Sequence, residues 1–135
     1  MAKSAREKLA QKKEIKTVLL EKDFAGIRKG EMMLVATPQI VADYISDIPS
    51  GSFQTIPEMR DNLAKQNGCD GTCPVSTAIF VRMAAEAALE DMGEGKQPDE
   101  TIPFWRMITS QDKVTKKLDI DPEWVDHQRE LEATA

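Results

Sequence analysis

The sequence is poor in the side chains that usually carry chemistry: one His, two Cys and one Tyr among 135 residues, with aromatics at 5%. Each scarcity excludes something. Two cysteines cannot build a disulfide framework, so Cys69 and Cys73 read as reduced thiols of a cytoplasmic protein. With three residues between them and the only histidine far away at His127, they do not supply the four ligands of a structural zinc site. No run approaches the ~18 consecutive apolar residues of a membrane span, and no membrane partner is expected. Met1 to Glu14 is charged throughout and has no apolar core for a secretion signal. Nucleophile–base pairings, metal spacings and glycine-rich phosphate loops are also missing, so no catalytic residue, metal or cofactor is predicted.

What the chain does have is charge. Charged residues make up 30% of it and the net charge is −5, which argues against a generic nucleic-acid coat. The length suits one domain. The charge is unevenly spread. Residues 1–14 hold Lys3, Arg6, Lys8, Lys12 and Lys13 against Glu7 and Glu14. The tail from Asp119 holds six carboxylates against Arg129 alone. Both ends are open to a plain reading as solvated helix faces.

Local signals predict the elements. Ser4 caps a helix over about 5–14, with Glu7 three residues on. Ile15 to Leu20 and Met32 to Val35 read as short strands. Thr37-Pro38 opens a helix carrying Ile40, Val41, Tyr44, Ile45 and Ile48 at helical spacing. Thr55 with Glu58 is a capping box, and Gly68 stops that helix. A tight stretch, Cys69 to Cys73, leads to Pro74 and a long helix outlined by Val75, Ala78, Ile79, Met83, Ala87 and Ala88. Ile102 to Ile108 reads as a strand, Ser110-Gln111-Asp112 as a turn, and Asp121-Pro122 as the start of a last helix. Helix, turn, longer helix, strand and turn make a winged helix-turn-helix, with residues 74–92 in the recognition position. The predicted fold is therefore mainly α with a small β component. An N-terminal helix and extended arm (1–30) precede a winged helix-turn-helix-like domain (31–135).

Two segments carry a resemblance. Ile48-Pro49-Ser50-Gly51-Ser52-Phe53-Gln54-Thr55 and Ile102-Pro103-Phe104-Trp105-Arg106-Met107-Ile108 are similar to the DNA-binding domain of alkylguanine-DNA alkyltransferases. In that family they read Ile-Pro-x-Gly-x-x-x-Thr and Ile-Pro-Cys-His-Arg-Val. The resemblance covers about residues 30–132. Phe104 stands at the acceptor cysteine and Trp105 at the histidine, so the covalent step has no nucleophile and no base. Thr77 falls at the arginine that enters the duplex, Phe80 at a glycine and Ile56 at a tyrosine. The resemblance therefore implies a non-catalytic, alkyltransferase-like protein that binds alkylated or distorted DNA in a repair context.

On that reading Phe104 or Trp105 stacks on an extruded base, Arg106 holds a phosphate, and Lys113, Lys116 and Lys117 of the wing add phosphate contacts. Thr77 faces the duplex from the recognition helix. The opposing reading is a strand with one aromatic in the core and one on a partly exposed face, and it pairs Arg106 with a nearby carboxylate. Residues 55–92 hold six carboxylates against Arg60, Lys65 and Arg82, so any binding of double-stranded DNA should be weak and salt-sensitive. Arg82 and Glu86, four apart, read as a surface ion pair, and His127 as a solvated residue. The acidic helices favour an alternative function, a protein-interaction module that keeps the fold without binding DNA.

Overall fold

Three helix starts in this chain combine a capping side chain with a proline in the first turn, and each is formed. In the computed structural model, which describes residues 4–10 and 13–134, Thr37 Oγ1 accepts from Ile40 N at 3.2 Å and starts α2 (Pro38–Ser46). Thr55 and Glu58 close a reciprocal capping box on α3 (Ile56–Gln66). Asp121 caps α6 (Pro122–Ala133) through Glu123 N. Such caps satisfy backbone donors that have no partner within the helix, and proline sacrifices only a donor already idle there.

The chain begins with α1 (Ala5–Ala10), capped by Ser4 Oγ, which accepts from Glu7 N. Of its predicted extension to residue 14, residues 11 and 12, like Lys3, lie outside the described residues, and Lys13 and Glu14 are not helical. Strand β1 (Lys16–Leu19) pairs antiparallel with β2 (Met32–Val35). From β2 the chain crosses through α2 and α3 and returns as β3 (Gly71–Thr72), parallel to β2. The sheet order is β1-β2-β3, which leaves β1 along one edge. Gly71 is required by close packing: a Cβ there would lie 2.8 Å from Ile27 Cγ1. The long helix α4 (Pro74–Gly93) follows, then 3-10 turns at Pro98–Glu100 and Phe104–Arg106, the one-turn helix α5 (Lys113–Lys116), and α6.

One prediction fails here. Ile102 to Ile108 is not a strand; Phe104–Arg106 forms a 3-10 turn, and no strand follows α4 among the described residues. The β-wing is therefore not built from that segment. Its apolar and aromatic residues satisfied a strand pattern, but they are buried on every side, and periodicity cannot identify such a run.

A single large core joins all the helices. Leu34, Val41, Ile45, Met59, Val81, Phe104, Ile108 and Val125 are wholly enclosed, and Leu9 brings α1 into the same cluster. Each such side chain contributes roughly 1.5–3 kcal/mol by leaving water. Helix α4 is the central element and packs on α1, α2, α3 and α5. The face it buries is Thr77, Val81, Ala84, Ala85 and Ala88, whose small side chains let neighbouring helices approach closely. No helix among the described residues is long and apolar enough to cross a membrane.

Candidate functional site

The turn at residues 103–108 holds three of the predicted site residues, and it is built into the core. Phe104 and Trp105 are essentially inaccessible. Phe104 stacks on Trp124 at 5.9 Å between ring centroids, and Trp105 meets both rings edge-on at 5.4 and 5.8 Å. Offset stacking and edge-to-face contact are the favoured arrangements of aromatic quadrupoles. Base stacking has no exposed ring to work with here. The opposing reading expected one of the two aromatics on a partly exposed face, whereas both are in the core.

Arg106 is likewise occupied. Its Nε and Nη2 both donate to the Glu132 carboxylate at 2.9 Å, and its Nη1 donates to Ile48 O at 2.7 Å. The same carboxylate accepts from Trp105 Nε1 at 2.8 Å and from Gly51 N at 3.2 Å. Burial works to raise the Glu132 carboxyl, but the donors on Arg106, Trp105 and Gly51 together hold it below its ordinary value. From the previous turn of α6, Arg129 donates to Trp105 O at 2.8 Å and lies over Phe53, 4.3 Å from its centroid. The polar groups of this turn are thus spent on fastening it to α6 and to the segment around Ile48. The sequence indicated a carboxylate partner for Arg106 but not which one, because a separation of 26 residues leaves no periodic signal.

Thr77 is also enclosed, and its hydroxyl donates to Cys73 O at 2.6 Å. It occupies the inward side of α4, so no residue at that position can reach a duplex. At 3.6 residues per turn, Val75 and Ile79 fall about 160° away from it. They are 58% and 53% exposed, the two exposed large apolar side chains of α4. The predicted apolar outline of α4 thus mixed two faces, inward Ala87 and Ala88 with outward Val75 and Ile79.

That outward pair sits in a shallow cleft of about 360 Å³ lined by Val75, Ala78, Ile79, Arg82, Val114 and Lys117. Helix α5 forms its far wall. Val114 and Thr115 bury into the body of the protein, which turns Lys113, Lys116 and Lys117 to solvent. The three predicted lysines therefore do lie together, next to the helix expected to accompany them. Arg82 forms its ion pair with Glu86 at 3.3 Å. The result is an apolar pair bordered by cations.

No protein-family model, curated protein or solved structure matches this chain. The arrangement of its side chains is therefore the ground for a functional reading.

Other chemically suggestive residues remain apart. Cys73 is buried and Cys69 partly so. Burial first, and then the Asp70 carboxylate, raises the Cys69 thiol, which keeps it protonated and a poor nucleophile. His127 is exposed on α6 among Glu123, Asp126 and Glu130. Among the described residues, no three His, Cys, Asp or Glu side chains converge to hold a metal ion.

Proposed function

We propose that this protein is a protein-interaction module whose docking surface is the outward face of α4 with α5. The observation that carries this reading is the pair Val75 and Ile79, one turn apart and both more than half exposed. A helix that reads DNA edges presents hydrogen-bonding side chains at such positions; this one presents two β-branched hydrocarbons. Arg82 and Lys117 border the pair, and α5 carries Lys113 and Lys116 to solvent beside it, so the complementary partner is an amphipathic helix with acidic flanks, laid apolar side down into the cleft.

A labelled helical peptide with leucines at i and i+4 and glutamates flanking them is the probe, titrated against the protein by fluorescence anisotropy. Binding is expected, with Val75→Asp/Ile79→Asp weakening it by about tenfold or more. Failure of the peptide to bind the folded protein at high concentration would overturn the proposal.

The cations of α5 keep a second reading in view, the winged helix-turn-helix, alkyltransferase-like one. Lys113, Lys116 and Lys117 are exposed on one short element and can neutralise phosphates. This reading is tested with plain and alkylguanine-containing duplexes at low salt. It requires duplex binding that falls when the three lysines are changed to glutamate and survives Val75→Ala/Ile79→Ala, which removes the apolar pair without adding charge.

A further inference from the structure

We propose that the free edge of β1 pairs with β1 of a second copy of this chain, forming an antiparallel dimer centred on Val18. The surface is independent of the α4 cleft. Ile15, Val18, Leu19 and Phe24 are four of the seven large apolar side chains exposed anywhere in the described protein, and they fall within ten consecutive residues. Leu19 is 61% exposed, and every residue of β1 is open to solvent. An edge strand that displays hydrocarbon along with unpaired backbone groups is a template for another strand.

Backbone geometry restricts how two such edges meet. Leu20 N donates to Glu31 O at 3.0 Å, and Leu20 O accepts from Gly30 N at 2.8 Å, so both polar groups of Leu20 face β2. Strand backbone groups alternate in direction, so those of Lys16 and Val18 face β2 as well, while those of Ile15, Thr17 and Leu19 face the free edge. A symmetric antiparallel pairing must match outward residues with outward residues. It can therefore be centred on a residue but never between two.

The side chains within the strand then select among these registers. Glu21 and Lys22 form a bend, so the pairings that count run from Ile15 to Leu20. Centring on Lys16 sets that lysine against itself, centring on Thr17 sets it against Val18, and centring on Leu19 takes Lys16 and Thr17 opposite the bend. Centring on Val18 sets the two Val18 side chains together, keeps the two Lys16 charges apart and places each beside Leu20. In this register Val18 meets its own copy at a non-hydrogen-bonded position, where opposed Cβ atoms lie about 4.5–5.5 Å apart. Thr17 and Leu19 exchange backbone hydrogen bonds across the junction.

Sedimentation equilibrium of the full chain up to about 100 μM is the first measurement, because a pairing of this size is weak. A concentration-dependent dimer is expected; a monomer throughout the range overturns the proposal, and Lys16 then simply guards the edge. Val18→Cys should give a cross-linked dimer under mild oxidation and Thr17→Cys should not; the reverse result overturns the register. Val18→Lys should abolish the dimer, because two lysines would then oppose each other at its centre. Val75→Asp/Ile79→Asp must leave the dimer intact. Loss of the dimer in that variant would assign it to the α4 cleft instead. Thermal melts of each variant confirm that the monomer is still folded.

Discussion

Arg106 in the turn after α4 and Glu132 near the end of α6 form a two-point ion pair, and the carboxylate also accepts the indole N–H of Trp105. Both side chains are largely withdrawn from water, so the pair is stronger than a surface bridge and costlier to break. Removing one member leaves the other buried without a partner. Glu132→Ala and Arg106→Ala should each destabilise the protein by about 2–4 kcal/mol, less than full burial would give. The double variant should cost clearly less than the sum, as urea denaturation would show.

The same contact makes stability depend on acid. The Glu132 carboxyl is depressed in the folded protein, so its contribution is complete above the unfolded carboxyl value, about 4.3, and is lost as pH falls through the folded value. Asp126, held low by the Ser110 hydroxyl and amide, acts in the same direction. Chemical denaturation from pH 7 down to pH 3 should show falling stability. Glu132→Gln should flatten part of that slope.

Phe104 and Trp105 are structural. Phe104→Ala should destabilise by about 3–5 kcal/mol, as for other enclosed aromatics. Trp105→Phe keeps most of the packing but leaves Glu132 one donor short, and should cost about 1–3 kcal/mol. In neither variant should duplex affinity per folded molecule change. A large selective loss of DNA binding in Trp105→Phe would contradict the burial described above.

Val75 and Ile79 should behave in the opposite way. Val75→Asp and Ile79→Asp remove nothing from the core, and each should shift stability by no more than about 0.5 kcal/mol. Their effect belongs to binding. Calorimetric melts beside the peptide titration would separate the two.

Gly71 tests the packing between β3 and the loop before β2. Gly71→Ala drives a methyl into Ile27 and should cost about 1–3 kcal/mol. The added variant Ile27→Val should recover part of that loss if the clash is with the Ile27 side-chain tip.

Most of the helices were legible because their signals are local. Thr37, Thr55 and Asp121 cap through backbone groups two or three residues away, and Pro38, Pro57, Pro74 and Pro122 mark first turns by the donor they lack. The short strands at β1 and β2 were visible for a similar reason. The candidate surfaces were not. Val75 and Ile79 look like core residues in sequence, and only the packing of Val81, Ala84, Ala85 and Ala88 on neighbouring elements turns them outward.

The sequence by itself therefore determined where helices begin, that the chain is rich in charge, and that Phe104 and Trp105 cannot act as nucleophile and base. The tertiary structure decided the rest. It enclosed Thr77, Phe104 and Trp105, joined Arg106 to Glu132, left β1 at an edge, and set an apolar pair among cations. Capping and proline chemistry act over one helical turn, whereas burial depends on which faces meet across the core, and no short stretch of sequence contains that information.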